Sequence, residues 1–188
     1  MDDGFWFGDI KIKQMDEQGE YGAFRFDCAY QIGEPEIHKI PKLSRIHFDV
    51  GFGDKIPSKI KQIQSDSILP GEDKLSWKVY PPEYIFSEKL QTLVIRSSAN
   101  SRAKDLYDMV ILIKFCTNKS ALKNAIIGTF KNRKTDLPNS FYDFADNLNL
   151  RQIEMAWKTV ELSKLNQEFH VVWSQLKDIF TTIDLLFQ

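Results

Sequence analysis

No stretch of this chain approaches the ~18 consecutive apolar residues of a membrane-spanning helix, so no membrane role is expected. The first residues, MDDGFWFGDIKIK, lack the basic-then-apolar plan of a secretory signal, and the chain reads as cytoplasmic. Cysteine is scarce. Cys28 and Cys116 stand alone, without a CxxC or a Cys/His spacing, which excludes a disulfide framework or a zinc site and fits reduced core residues. Charge of one sign is also missing. The formal net charge is -1 over 188 residues, so the chain as a whole has no attraction to nucleic acid, and any such contact needs a local basic patch. There are no internal repeats and no low-complexity segment. What is present is apolar bulk: 14 Phe, 4 Trp and 43% hydrophobic residues, enough for one sizeable domain or two small ones sharing a core.

The pattern changes along the chain from period two to period three-and-four. Residues 5–14 alternate as a strand. A polar turn, Met15–Glu20, leads to Tyr21–Ile32, where Phe24, Phe26, Cys28, Tyr30 and Ile32 share one face and Arg25, Asp27 and Gln31 the other. These two segments predict an antiparallel hairpin, ended by Gly33-Glu34-Pro35. Ser44–Phe52 is a third strand, with Ile46, Phe48, Val50 and Phe52 on one face and Arg45, His47 and Asp49 on the other. A carboxylate in mid-strand has to be solvated, paired or bound to something. The strand opens into Gly51-Phe52-Gly53-Asp54, a glycine-rich turn with a second acid. The segment 57–80 is polar and mixed, with short strands expected at 59–64 and 75–79 and a turn at Pro70-Gly71-Glu72-Asp73.

From Pro82 onward the reading is helical: 82–96, a second helix after a Ser/Asn turn, 120–131, 140–147, 150–163 and 167–187. The last carries Phe169, Val172, Trp173, Leu176, Phe180 and Ile183 on a wide core stripe. Lys131, Arg133 and Lys134 suit a helix C-terminus, with an RNA-facing patch as the alternative. His170 is read as a surface residue or a satisfied interior one. Strands followed by helices give an α+β fold, a small mostly antiparallel sheet (1–80) and then a helical bundle (81–188).

The densest juxtaposition of charge and apolar surface is Tyr80–Phe115. Phe86, Leu90, Leu93 and Val94 form the buried face of the first helix, with Pro82 pre-set at its start. Asn100 or Ser101 is placed to cap the second helix, whose stripe is Leu106, Met109, Val110 and Ile113. Glu88, Lys89, Arg96, Arg102, Lys104, Asp105 and Asp108 crowd around the junction, and Lys104 and Asp108 stand four apart and can pair. Surface ion pairing is the plain alternative, worth about 0.3–0.5 kcal/mol per exposed pair. The functional alternative is a polar cluster whose cations hold phosphates and whose carboxylates hold a metal or orient those cations.

The ordered run Glu88-Lys89-Leu90, then Asn100-Ser101-Arg102-x-Lys104-Asp105-x-x-Asp108, resembles the signature of AbiEii-type toxins. These are nucleotidyltransferase-like proteins of toxin–antitoxin and phage-abortive-infection systems. His47-Phe48-Asp49-Val50-Gly51-Phe52-Gly53-Asp54 resembles the same family. The resemblance implies a polymerase-β-type site that uses Mg2+ and a nucleoside triphosphate. In it Asp49 is the third catalytic carboxylate, a metal ligand and activator of the attacking hydroxyl, with Asp54 a second candidate ligand. Lys89 and Lys104 are implied as triphosphate contacts and Asp105 as a catalytic orienting acid. Arg102 extends that set on physical grounds, Asp108 joins Asp105 in orienting those cations, and Glu88 belongs to the same nucleotide-binding group. Asp49 is expected to meet Lys89, Lys104 and Asp105 where sheet and bundle join. An antitoxin protein and an RNA (tRNA) acceptor are the partners implied.

The resemblance also implies a Gly-Ser turn and an Asp-x-Asp pair near the start, and neither occurs in these 188 residues. The chain therefore reads as a truncated member, inactive by itself, with its first catalytic motif to be supplied by a longer or second polypeptide. Two other readings stay open. One is a non-catalytic module binding a nucleotide, RNA or protein. The other is a scaffold without a working site that closes an exposed sheet edge by homodimerisation.

Overall fold

The computed structural model describes residues 4–15, 22–58, 60–68, 71–158, 160 and 168–188. The polar turn at 16–20, Tyr21, Lys59, Pro70, the helix expected across 161–163 and Gln167 lie outside the described residues. The chain divides into two compact units, Met1–Asp54 and Lys55–Gln188.

The first unit is a three-stranded antiparallel sheet of β1 (Phe5–Met15), β2 (Ala23–Ile32) and β3 (Arg45–Gly51), in that order. A 3-10 turn, Ile37–Lys42, links β2 to β3. Alternation sorts the strands into two chemically distinct faces, as the sequence predicts. In register, Ile12, Phe26 and Phe48 form one row, and Gln14, Phe24 and Val50 the next. Phe26 and Phe48 stack with ring centroids 5.0 Å apart. This face is apolar yet open, with Phe48 49% and Ile12 62% exposed. The opposite face carries the rows Lys13, Arg25, Asp49 and Lys11, Asp27, His47. A bulge between Gly8 and Lys11 shifts the register of β1, with Asp9 at φ 44°. A Cβ at Gly8 would collide with the Trp6 ring unless that ring shifts.

The second unit holds the hydrophobic core. It opens with a two-stranded hairpin, β4 (Lys61–Ser65) and β5 (Leu75–Val79), in which Ile63 faces Trp77. Among the described residues six α-helices follow: α1 (Pro82–Arg96), α2 (Ala103–Leu112), α3 (Lys119–Asn132), α4 (Phe141–Asp146), α5 (Arg151–Trp157) and α6 (Phe169–Phe187). The stripes read from spacing are the buried ones. Phe86, Leu90 and Leu93 of α1, Leu106 and Met109 of α2, Ile126 and Phe130 of α3, and Leu176, Phe180 and Ile183 of α6 have exposures of 1% or less. Each such side chain contributes about 1.5–3 kcal/mol relative to staying in water. The chain is α+β, with small antiparallel sheets preceding the helices.

Helix starts show local chemistry of two kinds. Asn118 accepts the Ala121 amide at 3.0 Å and starts α3. Ser140 accepts the Asp143 amide at 3.0 Å and starts α4. Asp184, far along the chain on α6, also accepts from the Phe141 and Tyr142 amides at 2.8 and 3.0 Å, so α4 is capped partly in trans. The α2 start differs from the expected cap. Asn100 is buried (2% exposed) and accepts the Arg102 amide at 2.8 Å, closing the turn before the helix. Arg102 occupies the N-cap position and contributes no side-chain cap. Among the described residues no helix is long and apolar enough to cross a membrane.

Candidate functional site

Lys89 sits on α1 one residue before the fully buried Leu90, so its stem leaves the core edge and its amine is only partly hydrated. Asp105 and Asp108 lie three apart on α2 and therefore share a face. The Lys89 Nζ donates to Asp105 Oδ1 at 2.6 Å and lies 2.9 Å from Asp108 Oδ2. All three side chains are mostly covered, with 20%, 17% and 29% exposure. Burial pulls the Lys89 pKa down. The hydrogen bonds to Asp105 and Asp108 outweigh it, and the amine ends above its ordinary value. Asp105 falls in the first turn of α2, where the helix dipole favours an anion. Its second oxygen, Oδ2, is buried without a hydrogen bond, and Arg102 Nη1 stands 3.9 Å from it.

The other cations at this junction behave differently. Asp108 turns to Lys89, and Lys104 forms no ion pair among the described residues; the expected Lys104–Asp108 pair is thus replaced by a contact between helices. Arg102 is half exposed. Glu88 accepts from the Tyr80 hydroxyl and lies 3.7 Å from Arg133 Nη2. Sequence reasoning missed Arg133 as a member of this region. It is 18% exposed and donates to Gln91 Oε1 at 3.0 Å. The available signal was Gln91 itself, a polar side chain beside the buried stripe of α1, which demands partners.

Asp49 belongs to the first unit. Arg25, its register partner on β2, donates to both carboxylate oxygens at 2.8 Å. Those hydrogen bonds hold the Asp49 carboxyl below the usual carboxylate range. Two residues away, His47 bonds to Asp27, and the hydrogen bond lowers the Asp27 pKa as well. Arg45 reaches Asp9 Oδ2 at 2.9 Å. Mid-strand charge on β3 is thus solved by pairing across strands. Asp54 is exposed in the turn after β3. Among the described residues no group of three or more His, Cys, Asp or Glu stands close enough to hold a metal ion.

The Lys89–Asp105–Asp108 contact joins the two halves of the motif read from the sequence, residues 88–90 and 100–108, into one cluster. Comparison with known families agrees in extent: the model of the AbiEii nucleotidyl transferase toxin, of type IV toxin–antitoxin systems, matches residues 2–170. The chain belongs to the AbiEii toxin family. No curated protein matches it, and no solved structure does. Membership in a type IV toxin–antitoxin family implies an antitoxin partner for this AbiEii-family chain.

Proposed function

We propose that this chain is the nucleotide-gripping part of an AbiEii-type nucleotidyltransferase toxin, and that Lys89 is its principal phosphate-binding cation. The observation that carries the proposal is the double contact of the Lys89 amine, 2.6 and 2.9 Å from two carboxylates of another helix. A lysine this covered is a poor way to gain stability, because an apolar residue of similar volume commonly does as well. It is a good way to fix a positive point charge. Asp105 and Asp108 then orient the amine and keep it protonated. Arg102 and Lys104, exposed at the start of α2, supply outer contacts to the same triphosphate, and Glu88 supports the helix turn that carries Lys89. RNA, including tRNA, is the proposed acceptor.

These 188 residues contain no Gly-Ser and no Asp-x-Asp. Within the proposal, transfer requires those groups from a longer form of this chain or from a second polypeptide, and Asp49 contributes its carboxylate only once Arg25 releases it. By itself the chain binds a nucleoside triphosphate without turnover. A second copy pairing along an outer strand of the three-stranded sheet is compatible with this reading.

The test is incorporation of a labelled nucleotide into tRNA or protein by the purified chain, alone and with its antitoxin removed. No incorporation above background is expected. Metal-dependent incorporation by the 188-residue chain alone overturns the proposal that a catalytic part is supplied elsewhere.

A further inference from the structure

We propose that Arg133 is a positioning residue for Lys89, acting through the turn of α1 that carries it. Arg133 follows α3 directly and was expected to be one of three cations suiting that helix end or facing RNA. Instead it reaches back to α1, with Nη1 3.0 Å from Gln91 Oε1 and Nη2 3.7 Å from Glu88 Oε2. Gln91 is 5% exposed, and the other end of its amide donates to Thr135 Oγ1 at 2.7 Å. The Thr135 amide in turn donates to Phe130 O at 2.9 Å, tying this loop to the last turn of α3. Both ends of a buried amide are therefore satisfied from one three-residue segment, 133–135.

Glu88 and Gln91 bracket Lys89. At 3.6 residues per turn, Lys89 projects about 100° from Glu88 and about 160° from Gln91. One side of α1 is thus gripped by Arg133 and Thr135, and another side offers the amine to α2. The amine meets two carboxylates within hydrogen-bonding distance, a geometry that tolerates little rotation of the helix. A planar guanidinium spanning Glu88 and Gln91 fixes that rotation, which a lysine at 133, with one point charge, does not. The inference concerns how the amine is held and stands whether or not the cluster receives a nucleotide phosphate.

Competitive acylation tests it. The purified chain is treated with limiting N-hydroxysuccinimidyl acetate, and modification at Lys89 and Lys104 is read by mass spectrometry. Lys104, exposed on α2, normalises the reagent dose, and Lys177, 30% exposed and 3.3 Å from Asp146, reports general loosening, which raises its rate as well. In the wild-type chain Lys89 reacts more slowly than Lys104. In Arg133→Ala the Lys89/Lys104 ratio rises about threefold or more, as expected for coupled neighbours, while helical circular dichroism is retained. Thr135→Val, a nearly isosteric change, raises the ratio less but in the same direction, and decides the matter if Arg133→Ala does not fold. A ratio unchanged from wild type in the folded variants overturns the proposal.

Discussion

The Lys89 amine of α1 lies 2.6 Å from Asp105 Oδ1 of α2, although sixteen residues and a Ser/Asn turn separate them in the chain. With Asp108 on its other side, this amine is the electrostatic centre of the junction. Removing it strands two covered carboxylates on one helix face. Lys89→Ala is therefore expected to cost the second unit about 2–3 kcal/mol, somewhat below the range for fully buried pairs because the cluster is partly hydrated. Lys104→Ala, which removes an exposed cation with no ion pair among the described residues, stays within about 0.5 kcal/mol. Urea midpoints of the two variants check the contrast.

The same pair sets an alkaline limit. Lys89 has a folded-state pKa above the ordinary lysine value of 10.5. Its contribution is fully present below that ordinary value and is lost as pH rises through the folded-state one. The stability difference between wild type and Lys89→Met is expected to be constant between about pH 7 and about pH 9 and to shrink as pH rises past the ordinary lysine value. Denaturation midpoints across that range test it. On the sheet the sign is opposite. Asp49, lowered by Arg25, contributes above the ordinary carboxylate value and loses that contribution as pH falls through its folded-state one.

Much of this was legible in the sequence, and the boundary between what was and was not has a physical cause. The stripes of α1, α2, α3 and α6 are periodic, and burial follows period. Asp49 and Lys89 stand out as a charge in mid-strand and a charge beside a core stripe, and the roles expected of them came from the family resemblance. Partners were not legible. Arg25 is 24 positions from Asp49 and Arg133 is 42 from Gln91, and neither distance leaves a trace in local spacing. Lys104 was paired with Asp108 because both lie on one helix; the contact from α1 won because it adds a second carboxylate to one buried amine.

Asp184 illustrates the long-range case. It accepts from Ser140 Oγ at 2.8 Å and from the Phe141 and Tyr142 amides, and so holds α4 against α6. Asp184→Ala is expected to cost about 1–3 kcal/mol, because two helix-start amides lose their acceptor. Asp184→Asn retains part of that. Thermal unfolding of the two variants gives the order wild type, Asn, Ala.

Core and sheet face also separate in energy. Phe180 is fully buried in the helical core, and Phe180→Ala is expected to cost about 3–5 kcal/mol. Phe48, half exposed and stacked on Phe26 at 5.0 Å, is expected to cost about 0.5–1.5 kcal/mol when replaced by Ala. Urea unfolding monitored at each unit distinguishes them.

Equilibrium titration of a magnesium nucleoside triphosphate into the wild-type chain and into Lys89→Met tests the central claim most directly, with circular dichroism confirming that both are folded. Saturable binding that weakens about tenfold or more in the variant, a change of about 1.4 kcal/mol, is the predicted result. Equal affinity in the two chains, or no saturable binding to the wild type, contradicts a phosphate-binding role for Lys89.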